Sequence, residues 1–260
     1  MMFTGWAVPV AGQASRGDLA KARGHYNLRQ FDDAIAAATA ARRTLETADT
    51  ASIVLARAHL ERYRERADPS DLSAARDALG MVRAAGLDDR DRVELLLALG
   101  ESLFLEDDFG AAAEIFESSL DRAAFLDWEI ADAMLDWWAS ALERKASALA
   151  PEARRAAFSR LVERTQAELA VNPGSIAASY WTVVALRGAG EPDRAWDAAV
   201  ASWVRARLTG ERAPTLRADL DRFVLGGLVP DRVRHIALDQ RAAAESQLKA
   251  DWELVKEKWK

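Results

Sequence analysis

Residues 93–126, VELLLALGESLFLEDDFGAAAEIFESSLDRAAFL, contain two short amphipathic segments that flank an acidic turn. The first segment repeats apolar or small residues at i, i+3, i+4 and i+7, as one face of an α-helix does: Leu96, Leu99, Gly100 and Leu103. The second places such residues on one face after the turn: Phe109, Ala112, Phe116, Ser119 and Leu120. Antiparallel helices that pack closely need small residues where they touch, so Gly100 and Ala112 predict a tight helical hairpin.

Two other stretches of 34 residues repeat this pattern. In residues 15–48 the matching positions are Ala22, Phe31, Ala34, Ala38 and Ala41. In residues 176–209 a turn at Gly190-Glu191-Pro192 precedes Ala195, Ala199 and Ser202. Residues 49–92 and 127–175 lie between the three, with predicted helices at 53–66, 72–85, 128–147 and 151–171. A recurring unit of this size is typical of repeat proteins.

The spacing of the small and aromatic residues resembles the tetratricopeptide repeat, whose period is about 34 residues. The resemblance covers residues 15–209 and is strongest in 93–126. It implies an all-α fold in which about five helical hairpins stack into a right-handed superhelix, with these bounds: 15–48, 49–92, 93–126, 127–175 and 176–209.

Residues 210–260 are predicted to form a helical cap over the last repeat. A helix at 216–225 would be stopped by Gly226-Gly227, and Pro230-Asp231 would open a long final helix. That helix carries one narrow apolar stripe: Ala244, Leu248, Trp252, Val255 and Trp259. The stripe either docks on the last repeat or serves as a contact for a partner helix or a second copy of the chain.

Composition and motifs favour a binding function over catalysis. The net charge of −6 and the absence of a basic block argue against a nucleic-acid partner. The sequence contains no run of eighteen apolar residues, so it predicts no membrane-spanning helix. Cysteine is absent, His25, His59 and His235 lie in separate predicted helices, and no motif of a hydrolase, nucleotide-binding or calcium site occurs. We therefore expect no catalytic residue, no cofactor and no metal site.

The resemblance also implies a concave groove lined by the first helix of each pair. Transferring the offsets from residues 93–126 assigns nine residues to this groove: Tyr26, Leu97, Glu101, Phe104, Trp128, Leu135, Trp138, Tyr180 and Arg187. Trp137 would then take the packing position, and Trp196 and Trp203 would belong to the core. Aromatic residues and arginine often anchor binding energy. In the alternative interpretation the aromatic residues fill the volume of the long fourth unit.

These features predict an interaction module or scaffold that holds a peptide or protein segment, with a structural subunit assembling through its C-terminal helix as the alternative. Residues 1–14, MMFTGWAVPVAGQA, are mostly apolar or small and end in Gly12-Gln13-Ala14, which suits signal peptidase. They predict the tail of a secretory signal, and hence a periplasmic or secreted protein of the bacterial cell envelope. The alternative is a disordered N-terminal extension of a cytoplasmic protein.

Overall fold

The computed structural model describes the backbone of residues 10–260 and the side chains in this range except those of residues 10–12, 125 and 126. Every regular element of this range is helical, which confirms the all-α class. The α-helices are α1 (Val10–Asn27), α2 (Phe31–Ala41), α3 (Ala48–Arg66), α4 (Pro69–Gly80), α5 (Asp89–Leu105), α6 (Phe109–Glu117), α7 (Leu120–Leu126), α8 (Trp128–Ser147), α9 (Pro151–Val171), α10 (Ile176–Gly188), α11 (Pro192–Arg205), α12 (Ala213–Phe223), α13 (Val229–Val233) and α14 (Leu238–Lys258).

The chain divides into two compact units, which are Met1–Ile130 and Ala131–Lys260. In unit 1, α1 to α6 form three helical hairpins in which each helix contacts the next. The first helices of the hairpins also contact one another, α1 with α3 and α3 with α5. The interior is rich in alanine, and every position matched to the repeat in residues 15–48 is buried: Ala22, Phe31, Ala34, Ala38 and Ala41.

Gly100 lies directly against the ring of Phe116 in the hairpin of α5 and α6. A Cβ atom at residue 100 would overlap the ring atoms Cε1 and Cζ of Phe116, which is itself fully buried. Ala112, on the same face of α6, is also fully buried. The close helix contact that the sequence predicts at Gly100 and Ala112 is therefore present.

In four hairpins the turn between the two helices contains one residue with a left-handed backbone conformation. Arg29, Ala67 and Asp107 have positive φ angles in the turns of unit 1, and Gly190 has one in the turn between α10 and α11. L-residues other than glycine adopt this conformation at a cost of roughly 1–2 kcal/mol. The same backbone solution thus recurs in each of these turns although the residue type changes.

In unit 2, α9 contacts α10, α10 contacts α11, and both α10 and α11 contact α12. The carboxylate of Asp132 on α8 accepts hydrogen bonds from the Ser175 hydroxyl at 2.6 Å and from the Ala177 N–H at 3.2 Å. It also pairs with Arg212 at 3.4 Å. Asp132 therefore fixes the start of α10, where backbone N–H groups lack partners within the helix.

The bounds predicted for α8 and α9 match the structure, whereas those after residue 210 need correction. Gly226-Gly227 does not stop the helix, because the chain continues from α12 through a π-helical turn at Val224–Leu228 into α13. Pro230 lies inside the short helix α13, and the long final helix begins at Leu238. Gly227 faces the Arg187 guanidinium with 3.1 Å between Nη1 and the place of a Cβ atom, so a side chain there would crowd the arginine.

The predicted stripe of α14 packs within unit 2. Trp252 is fully buried, its Nε1–H donates to Asp221 at 2.8 Å, and its ring meets those of Trp196 and Trp203 edge to face. Trp203 is buried, as the sequence predicts. The centre of the stripe thus packs on residues of its own unit, whereas Ala244, Leu248, Val255 and Trp259 stay partly exposed.

Most of the segment for which a secretory signal is predicted, residues 1–9, lies outside the described residues. Residues 10–14 belong to α1, so the helix begins before Ser15, where the charged helical pattern starts. In the described part of the chain no helix combines the length and the apolar character that a membrane crossing needs.

Candidate partner-binding surface

Four of the nine residues predicted to line a groove are interior residues. Leu97 and Glu101 are buried in unit 1, and Leu135 and Trp138 are buried in unit 2. Their exposed fractions are 2% or less, so their side chains present no surface to a partner while the helices stay packed. The other five reach solvent, Trp128 with 53% of its surface and the rest partly: Tyr26, Phe104, Tyr180 and Arg187.

The assignment of Trp138 to the groove is corrected by its burial. Trp138 is 1% exposed and packs in the interior, whereas its neighbour Trp137 is partly exposed. The offsets came from a unit of 34 residues and were applied to a unit of 49. Each residue turns an α-helix by about 100°, so a shift of one position between the two units exchanges an interior residue for a surface residue.

In unit 1 the predicted groove residue Tyr26 belongs to an ionic cluster between first helices. The guanidinium of Arg57 on α3 lies over the Tyr26 ring, 4.8 Å from its centroid, and is 3.8 Å from the carboxylate of Glu94 on α5. Burial raises the pKa of Tyr26 to about 12, although Arg57 opposes the shift. Burial would lower the pKa of Arg57, but Tyr26, Glu101 and Glu94 raise it overall.

A neighbouring contact ties the same three helices together. The buried Asp91 at the start of α5 accepts hydrogen bonds from Arg23 of α1 at 2.7 Å and from the hydroxyl of Thr50 of α3 at 2.5 Å. Arg90 pairs with Glu94 at 3.1 Å. The polar groups on the first helices of unit 1 are therefore largely engaged in holding those helices to one another.

A second ionic network of unit 1 joins α2, α3 and α4. The buried Asp71 accepts hydrogen bonds from Arg62 at 2.9 and 3.0 Å and from His59 at 2.7 Å. Burial would raise the pKa of Asp71, but the hydrogen bonds from Arg62 and His59 lower it overall. Arg62 also pairs with Asp32 of α2. Hydrogen bonds from Arg66 and Arg62 lower the pKa of this exposed carboxyl to about 2.

In unit 2 the predicted residues Tyr180 and Arg187 share one surface with Phe223. The rings of Tyr180 on α10 and Phe223 on α12 meet edge to face with centroids 5.9 Å apart. The Arg187 guanidinium lies over the Phe223 ring at 5.3 Å and is held by Asp231 at 2.6 Å. Both aromatic side chains remain partly exposed. This arrangement fixes an aromatic pair and a paired arginine at the surface.

Three carboxylates of two helices, α8 and α12, lie close to Tyr180. Burial and the negative charges of Asp219, Glu143 and Asp136 raise its pKa above the ordinary value. Burial also raises the pKa of Glu143, which Arg144 and Arg187 only partly offset. Asp136 accepts a hydrogen bond from the indole of the buried Trp181 at 2.7 Å. The surface around the aromatic pair therefore carries three carboxylates, and the arginines Arg144, Arg187 and Arg222 lie near them.

Sequence reasoning did not identify Phe223, Glu143 or Asp136 as members of this surface. Phe223 was assigned only to the C-terminal cap, because the resemblance to the repeat ends at residue 209. The spacing within α12 carried a usable signal, since Leu216, Leu220 and Phe223 follow a helical stripe. The position of α12 against α10, by contrast, depends on tertiary packing that local spacing does not encode.

Two of the three histidines contact a neighbouring polar side chain. His25 contacts Gln30 at 2.7 Å, and His59 belongs to the Asp71 network. Within the same range no group of three or more His, Cys, Asp or Glu side chains is placed to hold a metal ion. Comparison with protein-family models, with curated proteins and with solved structures gives no match to this chain.

Proposed function

We propose that this chain is a tetratricopeptide-type interaction module and that unit 2 binds a peptide segment of a partner protein on the surface of α8, α10 and α12. Stacked hairpins with left-handed turns and small residues at their contacts support the repeat class, in which hairpins build a right-handed superhelix. The observation that carries the binding proposal is the partly exposed pair Tyr180 and Phe223 beside Arg187.

The chemistry of this surface indicates what the segment contains. Aromatic rings that are already fixed by neighbours lose little conformational freedom on binding, so they suit an anchor. The carboxylates of Glu143, Asp136 and Asp219 favour a lysine or arginine next to the apolar residue that meets Tyr180, because a cation gains from both the charges and the ring face. We therefore propose a segment that combines one basic and one apolar side chain.

A peptide library panned against the full chain tests the proposal. Selected peptides are synthesised, and their affinities are measured by fluorescence anisotropy for the wild type, Tyr180→Ala and Phe223→Ala. We expect each variant to bind at least about ten-fold more weakly, which corresponds to about 1.4 kcal/mol. Val171→Ala, at a residue of unit 2 that is 79% exposed, is the control and should bind as the wild type does.

A charge reversal tests the preference for a basic residue. Glu143→Lys should weaken binding of the selected peptides, while Glu152→Lys, at an exposed position of α9, should leave it unchanged. Thermal melts of all variants separate loss of binding from loss of folding. The proposal fails if the selected peptides bind Tyr180→Ala and Phe223→Ala as tightly as the wild type, or if panning enriches no peptide.

A further inference from the structure

A cleft of unit 2 lies between α9, α10 and α11 and has a volume of about 470 Å³. Its apolar lining includes Leu169, Leu186, Ala198 and Ala201. Two arginines, Arg194 and Arg205, also line it. None of these residues belongs to the aromatic surface of Tyr180 and Phe223. A cleft of this size matches the volume of sites that take small organic molecules.

Arg205 is the unusual member of this lining. Its Nη2 donates to the hydroxyl of Ser202 at 3.2 Å, but its Nε is buried and meets no acceptor in the described part of the chain. No carboxylate of the described residues pairs with it, and burial lowers its pKa below the ordinary value. Arg194, in contrast, is exposed and paired with Glu191.

We infer that this cleft binds a small organic monocarboxylate, with its carboxylate on Arg205 and its apolar body on Leu169 and Leu186. A partly desolvated cation without a counter-ion is costly, and an anion that supplies acceptors relieves that cost. The terminal Nη1 and Nη2 groups of an arginine match a carboxylate in a two-point hydrogen bond.

Other lining residues limit the choice of anion. The hydroxyl of Thr182 already donates within the protein, with Ala178 O at 2.7 Å and Thr165 Oγ1 at 2.9 Å, so it offers no proton to a ligand. Asp197 lines the cleft from an exposed position, and its charge repels an anion. A single negative charge with an apolar body is therefore favoured over a phosphate dianion.

Isothermal titration calorimetry of the full chain with sodium hexanoate tests the inference. We expect saturable binding with a Kd on the order of 1 mM for a ligand of this size. Arg205→Gln should weaken it at least ten-fold. Arg155→Gln, which removes the same charge from an exposed position of α9, should leave it unchanged. Asp197→Asn should tighten it two- to three-fold, since it removes a repelling charge.

Two further probes distinguish the chemistry of the site. 1-Hexanol should bind at least ten-fold more weakly than hexanoate, because it lacks the charge, and inorganic phosphate should not compete. Arg205→Lys keeps the charge but loses the two-point contact, so it should bind hexanoate with intermediate affinity. Equal binding of hexanol, stronger binding of phosphate, full binding to a folded Arg205→Gln or no saturable binding would each overturn the inference. Tyr180→Ala should bind hexanoate as the wild type does, so this site and the peptide surface fail or succeed separately.

Discussion

The two units use their charged residues differently. In unit 1 the buried carboxylates of Asp71 and Asp91 each accept hydrogen bonds from an arginine of another helix. In unit 2 the guanidinium of Arg205 has no carboxylate partner among the described residues, and burial raises the pKa of Glu143. Charge in unit 1 thus stabilises the packing of helices, whereas unit 2 combines such contacts, at Asp132 and Arg187, with partly desolvated charges at its surfaces. That difference places the proposed binding sites in unit 2.

The largest loss of stability is expected when a buried tryptophan of unit 2 is truncated. Trp138→Ala should reduce the free energy of unfolding by about 3–5 kcal/mol, as truncation of a buried tryptophan commonly does. Trp128→Ala, which removes the same side chain from a 53% exposed position, should cost less than about 1 kcal/mol. Chemical denaturation followed by circular dichroism measures both. A small loss for Trp138→Ala would return this residue to the binding surface.

The next largest effect is expected in the ionic network of unit 1. Asp71→Asn leaves Arg62 and His59 without their buried carboxylate, so it should lower the free energy of unfolding by about 2–4 kcal/mol. This loss lies near the lower end of the range for broken buried ion pairs, because Arg62 reaches solvent. Asp77→Asn on the exposed face of the same helix is the control and should stay within about 0.5 kcal/mol. Equal stabilities for the two variants would show that unit 1 does not depend on this network.

The pH dependence of the same variant sharpens the comparison. The pKa of Asp71 is lower in the folded state than its ordinary value. Its carboxylate therefore contributes its full stabilisation above about pH 3.9, and that contribution is lost as the pH falls through the folded-state pKa. Denaturation curves between pH 5 and pH 2 should show a shallower loss of stability for Asp71→Asn than for the wild type; parallel losses would contradict the assignment.

A moderate effect is expected at the glycine contact of unit 1. Gly100→Ala forces a methyl group into the ring of the buried Phe116 and should cost about 1–3 kcal/mol. Gly24→Ala is the matched control, because a Cβ atom there meets no neighbour and alanine favours the helix by about 0.5–1 kcal/mol. The pair is measured by thermal melting, and a neutral Gly100→Ala would mean that Phe116 moves aside without penalty.

The smallest effect is expected at the turn between α3 and α4. Ala67 has a φ angle of 53°, and glycine adopts this conformation without strain, so Ala67→Gly should be neutral or stabilise unit 1 by up to about 1 kcal/mol. Ala36→Gly at an exposed helical position should instead destabilise it by about 1 kcal/mol. Equal losses for both would contradict the left-handed turn.

The sequence predicts those features that depend on neighbours close along the chain. Gly100 and Phe116 lie in one hairpin, so their contact follows from the spacing within two helices. The exchange of Trp137 and Trp138 could not be predicted in the same way, because the rotation of α8 is set by its tertiary packing. The π-helical turn at Val224–Leu228 also escaped prediction, since glycine pairs more often end a helix.

The candidate sites depend still more on distant contacts. Tyr180 and Arg187 could be assigned from their offsets in the repeat, but Phe223 joins them only because α12 packs on α10. The isolation of Arg205 is likewise invisible in the sequence, where Asp197 lies eight positions before it. Eight residues span about 12 Å along a helix, so Asp197 is too distant to pair with Arg205, and a partner from another helix depends on tertiary packing.

The carboxylate of Asp132 also bears on the order in which the chain folds. Its partner Arg212 follows 80 residues later, which at about 5–20 residues per second corresponds to roughly 4–16 s of synthesis. The three hairpins of unit 1 are complete by residue 130 and consist mainly of contacts between neighbouring helices, which form quickly. On a ribosome, unit 1 is therefore synthesised in full before Arg212, the partner of Asp132, and we expect unit 1 to fold first.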